Sequence, residues 1–252
     1  MITNSESGFD RVVWLPDIHA PFVDNDALQV ALAFIRVFKP HVVFLIGDVV
    51  DMYQVSSFDK DPERRFKLWE DLTCGYLILK RIRKACGDVP IYYIEGNHEA
   101  RMQRYLWRQA PELSGFPSLQ LPKLLNLDEM NIKYVEEGSM LWHGLLVKHG
   151  NMVRSKSGYT ATGEMEKAGI SGISGHTHRL SQVYKRNYAS TKTWVECGCL
   201  CDLNPEYANG NVMDWQSGLA FGYYEKAGNR FTLHTLPIVH NKCIFDGRLI
   251  TA

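Results

Sequence analysis

Nine histidines occur in the chain, and five of them stand in short polar motifs. The motifs are Asp17-Ile18-His19, Gly47-Asp48-Val49-Val50-Asp51, Gly96-Asn97-His98-Glu99, Lys148-His149-Gly150 and Gly175-His176-Thr177-His178. Imidazole, carboxylate and amide groups together are the donors that suit Mn²⁺, Fe or Zn²⁺, whereas Mg²⁺ and Ca²⁺ favour all-oxygen sets. Taken singly each motif says little, because a lone histidine is more often a satisfied structural residue than a ligand. Taken together they supply donors for more than one cation. Two cations roughly 3.5–4 Å apart need an anion shared between them, and they acidify a water enough to give hydroxide near neutral pH.

The elements that must position these residues are legible around them. Arg11–Pro16, His41–Ile46 and Ile91–Ile94 are apolar runs that predict buried strands, and each leads directly into a motif. Asp26–Phe38 carries apolar residues at helical spacing before Pro40, and Trp69–Cys86 is an amphipathic pattern closed by Gly87. Alternating strands and helices imply a parallel sheet covered by helices, and open sheets of this kind take ligands at the C-terminal ends of their strands. Ala100–Lys123 reads as helical with a proline-rich interruption, and Met140–Lys148 as a hairpin turning near His143-Gly144. Gln182–Tyr188, Lys192–Cys199, Gly218–Lys226 and Arg230–Pro237 read as a mostly antiparallel set, with a hairpin turn at Lys226–Asn229. The expectation is an α/β fold of two packed mixed β-sheets flanked by helices, a four-layer α/β/β/α sandwich. No repeat or Pro/Gly/Ser-rich linker divides it, so residues 1–252 are expected to form a single domain.

In this order, and after these strands, the motifs resemble those of the calcineurin-like metallophosphoesterase superfamily. Its pattern is Asp-x-His, Gly-Asp-x-x-Asp, Gly-Asn-His-Glu, an isolated His and Gly-His-x-His, and every part is present between Asp17 and His178. The resemblance implies a first metal on Asp17, His19 and His178, a second on Asn97, His149 and His176, and Asp48 bridging the two. It also implies that His98, oriented by Asp51, binds no metal and protonates the leaving oxygen, with Glu99 in support. Two divalent ions are expected, Mn²⁺ ahead of Fe, Zn²⁺ or Ni²⁺. The motif style is similar to that of small bacterial and bacteriophage phosphoesterases described as nuclease-like.

Departures from the family bear on substrate. Its protein Ser/Thr phosphatases carry Arg-Gly after the second motif and Arg before the third, where this chain has Met52-Tyr53 and Glu95. Phosphoprotein is therefore disfavoured. The expected activity is phosphodiester hydrolysis on a nucleic acid (DNA or RNA) or a nucleotide. The alternative is a phosphomonoesterase acting on a small metabolite or nucleotide, with Arg101 or Arg104 gripping the phosphate; the competing role for both is a solvated helix face. Arg154, in the basic segment Asn151–Lys156, is a candidate phosphate contact or part of a solvated loop. Tyr53, Trp107 and Tyr159 are candidate stacking surfaces, although aromatic residues at such spacing usually mark a core. A non-catalytic scaffold is a third reading, and the full set of expected ligands stands against it.

Composition narrows the rest. With 45% hydrophobic and 22% charged residues, the chain is an ordinary globular sequence. Twenty-eight acids balance twenty-eight lysines and arginines, which disfavours purely charge-driven nucleic-acid binding. No apolar run approaches a membrane span, and the polar start at Met1–Asp10 does not read as a secretory signal. Six unevenly spaced cysteines fit reduced thiols in the cytoplasm. Cys197, Cys199 and Cys201 read as a row of small buried residues on one side of a strand, and they lack the two-residue spacing of a separate zinc site.

Overall fold

The computed structural model describes residues 8–61, 67–205 and 212–252. β1 (Phe9–Leu15) is buried on both faces: Val13 and Leu15 enter one core while Val12 and Trp14 enter another. It leads to α1 (Asn25–Phe38), whose start is capped by the Asp24 side chain accepting from the Asp26 and Ala27 amides. β2 (Val42–Leu45), α2 (Leu68–Cys86), β3 (Ile91–Ile94), α3 (Ala100–Gln109), the short α4 (Leu121–Leu124) and β4 (Ile132–Val135) follow. β1 to β4 pair in parallel and in sequence order. The expected interruption after α3 is a pair of 3₁₀ turns, each begun by a proline.

β5 (Ser139–Trp142) and β6 (Leu145–Lys148) form the expected hairpin, with His143 and Gly144 at positive φ in its turn. Then come α5 (Tyr159–Ala168), β7 (Gly172–Ser174), β8 (Leu180–Arg186), β9 (Thr191–Cys197), β10 (Gly218–Glu225), β11 (Arg230–Pro237), β12 (Lys242–Phe245) and β13 (Arg248–Thr251). One sheet runs β11-β10-β1-β2-β3-β4 and the other β5-β6-β7-β9-β8, with β12 and β13 forming a separate two-stranded sheet.

The late strands do not form one antiparallel set. β8 and β9 join the second sheet, whereas β10 pairs antiparallel to β1 and carries β11 to the edge of the first. The reason lies in β10 itself. Leu219 and Phe221 enter the same core as Leu15, and Ala220 and Tyr224 enter the same core as Trp14. A strand apolar on both faces needs cover on both, which a place inside the first sheet provides.

The core between the two sheets is built from Trp14, Phe44, Trp142, Val147, Ile173 and Val195. α1 and α2 cover the far side of the first sheet, and α5 packs Ala161 and Met165 against Trp194 on the far side of the second. The layers therefore run helix, sheet, sheet, helix. Among the described residues, no helix is long and apolar enough to cross a membrane.

Candidate metal centre

The motif residues lie in loops that leave the C-terminal ends of five strands. Asp17 and His19 follow β1, Asp48 and Asp51 follow β2, Asn97 and His98 follow β3, His149 follows β6, and His176 and His178 follow β7. Asp17, His19, Asp48, His176 and His178 all have φ between +37° and +69°. Left-handed backbone costs a non-glycine residue about 1–3 kcal/mol, so the surroundings must hold these turns in place. Main-chain bonds between loops do so: the Ile18 and His19 amides donate to the Asp48 carbonyl at 2.9 and 2.8 Å, and Gly175 donates to the His149 carbonyl at 3.0 Å. Two motif glycines are required by close approach. A Cβ on Gly96 would stand 2.2 Å from Asp48 Oδ1, and one on Gly175 would stand 2.4 Å from Asp17 Oδ2.

The loops bring the side chains into two adjoining groups. In the first, His178 Nε2 is 3.4 Å and His19 Nε2 3.9 Å from Asp17 Oδ1. The two imidazole Nε2 atoms are 3.1 Å apart. In the second, donor atoms of Asp48, His149 and His176 lie within 4.8 Å of one another, and Asn97 Oδ1 is 3.0 Å from His149 Nε2. Asp48 Oδ2 faces both groups, 3.7 Å from His19 Nε2 and 3.3 Å from His149 Nε2. Imidazole nitrogens this close either share a proton or turn their lone pairs toward a common cation. Mixed nitrogen and oxygen donors around one shared carboxylate fit a pair of divalent transition-metal ions.

A family model described as calcineurin-like phosphoesterase matches residues 10–180, which takes in every motif of this cluster. The chain belongs to that family. Its relatives include the Gene 54 protein of Mycobacterium phage L5, 30% identical over 252 residues that cover 95% of this chain and 98% of that one. The Gene 54 protein of Mycobacterium phage D29 is 29% identical over 251 residues, with the same coverage. Among solved structures, a Vps29 single mutant from Entamoeba histolytica aligns over 95% of both chains with a TM-score of 0.48 at 13% identity. The chain is thus a metal-dependent phosphoesterase.

The electrostatics of this phosphoesterase's cluster follow from its burial. Burial alone would raise Asp17 and Asp48, but the facing imidazoles, His178 for the first and His149 for the second, outweigh it and lower both. Burial likewise pulls His149 down, but the charge and hydrogen bond of Asp48 outweigh it and lift the imidazole to about 10. His149 is therefore protonated at neutral pH in the metal-free chain, and it must be neutral to ligate, so loading displaces its proton. Titrating Zn²⁺ into metal-free protein in weak buffer at pH 6, about a unit below where zinc-bound water ionises, is expected to release at least one proton per chain. Occupancy is expected to fall further as the pH drops. Loading without proton release at pH 6 would contradict a protonated cluster.

His98 and Asp51 form the expected pair, joined twice. His98 Nδ1 is 2.9 Å from the Asp51 carbonyl and 3.1 Å from Asp51 Oδ1, and His98 Nε2 is 3.6 Å from Asp48 Oδ2. Arg101 closes over them: Nη1 donates to the Asp51 carbonyl at 2.6 Å and Nη2 lies 2.9 Å from His98 Nε2. These groups share a cavity of about 570 Å³ with His19, Asp48, Asn97, His176 and His178.

Arg104 and Arg154 do not line that cavity. Arg104 sits three residues along α3 from Arg101, about 4.5 Å further along the axis, and lines a separate cavity of about 460 Å³ with Glu95, Trp107 and Tyr134. Arg154 is exposed, its Nε 3.5 Å from Met152 Sδ. Of the three candidate stacking residues, Tyr53 lines the metal cavity, Trp107 lines the second one, and Tyr159 is exposed beside Lys156.

Two buried carboxylates brace the loops. Glu99 accepts from the Asp48, Val49 and Gly96 amides, each at 2.8 Å, and from the Tyr93 hydroxyl at 2.6 Å, so one side chain ties the second and third motifs together. Glu196 was missed by sequence reasoning. It accepts from Thr177 Oγ1 at 2.8 Å, Ser181 Oγ at 2.6 Å and the Gly158 amide at 2.8 Å, fixing the residue between His176 and His178. The available signal was a lone acid inside an apolar strand, Val195-Glu196-Cys197. Also missed were Phe22, Phe58, Cys201, Asp202 and Trp215, all of which line the metal cavity. Cys197, Cys199 and Cys201 are buried as expected, but they do not share one strand: β9 ends at Cys197, and Cys201 Sγ lies 3.7 Å from His178 Nδ1.

Proposed function

We propose that this phosphoesterase hydrolyses phosphodiesters of nucleic acid or nucleotides. In this reading Asp17, His19 and His178 hold one divalent ion, Asn97, His149 and His176 hold a second, and Asp48 is shared, with Mn²⁺ as the expected metal. Bound there, the two ions relieve charge on the phosphoryl oxygens and acidify a water near neutral pH. Asp51 fixes His98 through Nδ1, leaving Nε2 to hand a proton to the leaving oxygen. Arg101 now donates to that nitrogen, so Arg101 must release it as the ester arrives, and Nε2 must take up a proton from water before it can act as the acid.

The observation that carries the diester reading is the state of the phosphate-gripping cations. Among the described lining residues, Arg101 is the one permanent cation, and it is bonded to Asp51 and His98. One arginine suits the single charge of a diester better than the two charges of a monoester. The test is a panel of aryl diesters, aryl monoesters, cyclic nucleotides and DNA and RNA strands with Mn²⁺-loaded protein. Diesters are expected to give the higher kcat/KM, and turnover of monoesters alone would overturn the proposal.

The placement of Arg101 in the cavity also favours a second reading, a monoesterase that uses it as the phosphate clamp. Arg101→Ala separates the two. As a contact on a diester, its loss should raise KM by about ten- to a hundred-fold with kcat largely kept, in line with a charge-assisted hydrogen bond. As the clamp of a monoesterase, its loss should abolish monoester turnover. We also place the protein in the cytoplasm, a reading supported by six cysteines that are all free.

A further inference from the structure

The cavity that holds the metal cluster is also lined by four aromatic residues, Phe22, Tyr53, Phe58 and Trp215. Two of these rings flank the cluster. On the His98 side, Phe58 is 66% exposed, and the guanidinium of Arg101 lies 5.8 Å from its ring centre. On the other side, the Trp215 ring stands 4.2 Å from the imidazole of His178, centre to centre. Phosphate is recognised by charge and gains nothing from such a wall. Exposed aromatic surface is unfavourable in water, and a planar apolar partner relieves it. At about 570 Å³ the cavity also falls in the size range of small-molecule sites, with room beyond a phosphate group.

We propose that this wall is a base subsite, taking the nucleobase of a nucleotide ester whose phosphate lies at the metal cluster. The proposal rests on the phosphodiester reading and narrows its substrate. Stacking on sequence-tolerant aromatic faces is how proteins hold bases without reading hydrogen bonds, and an arginine over a ring adds a second planar cationic surface. Among the described lining residues, Asp61 and Asp202 stand with Arg101. Further phosphates would meet these carboxylates, so a single nucleotide ester fits better than a strand.

Binding of adenosine 5′-monophosphate and of ribose 5-phosphate to the Mn²⁺-loaded protein, measured by calorimetry, tests the subsite, because the two ligands share a phosphate and a sugar. The base is expected to tighten binding by about five- to a hundred-fold, the range of one aromatic stacking contact. Phe58→Ala and Trp215→Leu should each move the ratio of the two dissociation constants toward one. Phe58 is exposed, so its replacement is not expected to disturb folding, and a thermal melt checks Trp215→Leu. Equal affinities in the parent protein overturn the base subsite while leaving diester hydrolysis to the substrate panel. Unchanged ratios in both variants overturn the assignment to this wall. Tighter binding of a single-stranded tetranucleotide than of the mononucleotide overturns the preference for a single nucleotide.

Discussion

Replacing Asp48 with asparagine is expected to remove both metals' shared anion and lower turnover by about 10³-fold or more, the scale of several kcal/mol of lost charge stabilisation. The carboxylate is nearly saturated by what surrounds it. Its Oδ1 accepts from the His98 amide at 3.0 Å, while Oδ2 faces His19, His149 and His98 at 3.7, 3.3 and 3.6 Å. An amide cannot satisfy both demands. With its oxygen kept on the His98 amide, the NH₂ group points at the imidazoles and cannot ligate. Flipped, it loses one of the bonds that tie the second and third motifs, the one from the His98 amide. The fold itself should persist, because Asp48 anchors the neighbouring loops through its main chain, donating to Glu99 and accepting from Ile18 and His19. Metal content by mass spectrometry is expected to fall below two per chain, and the metal-free melting temperature to drop at neutral pH, because the charge that pairs with His149 is lost. Proton release at pH 6 should shrink as well, since His149 loses the charge that raises it. Two tightly held metals in Asp48→Asn would remove this residue from the shared position.

How much of this was legible from sequence depended on what kind of constraint each residue obeys. The cluster could be read because its chemistry restricts residue type at every position and because β1, β2 and β3 are apolar runs whose ends are sharp. Gly96 and Gly175 were legible for a reason only the structure supplies: a side chain there would collide with Asp48 or Asp17. β7 is three residues long, too short for alternation to register, although it delivers His176 and His178. The partition of the late strands was hidden because the apolar residues on both faces of β10 call for a covered position but do not say which strand lies beside it. The aromatic wall was hidden for a related reason. Phe58 and Trp215 look like core residues in sequence, and no local pattern says that one is exposed in a cavity and the other abuts a histidine. Arg101 and Arg104 are similarly indistinguishable in sequence, yet one turn of α3 puts them in different cavities.

Changing His98 to asparagine is expected to leave two metals bound and to slow hydrolysis of esters with poor leaving groups by about 10²–10⁴-fold, the usual worth of a positioned general acid. Asparagine can still bond to Asp51, but it has no proton to give at neutral pH. In the parent protein, burial and the neighbouring Arg101 charge oppose the charged imidazole, while the carboxylates of Asp48 and Asp51 outweigh them and raise His98 above its ordinary value. Arg101 donates to Nε2 at 2.9 Å in the metal-free chain, so the acid form arises once Arg101 has left that nitrogen, with the Asp51 carboxylate still favouring it. The decisive measurement is the dependence of the loss on the leaving group. An aryl oxide that departs as a stable anion needs no proton, so bis(p-nitrophenyl) phosphate should be cleaved by His98→Asn at close to the parent rate. A nucleoside or alkyl alcohol departs as a strongly basic oxyanion unless it is protonated, so the loss should grow with the basicity of the leaving oxygen. A residue that merely shapes the loop would slow every ester alike. A uniform loss across leaving groups, with both metals in place, would therefore assign His98 to positioning and require the leaving oxygen's proton to come from elsewhere.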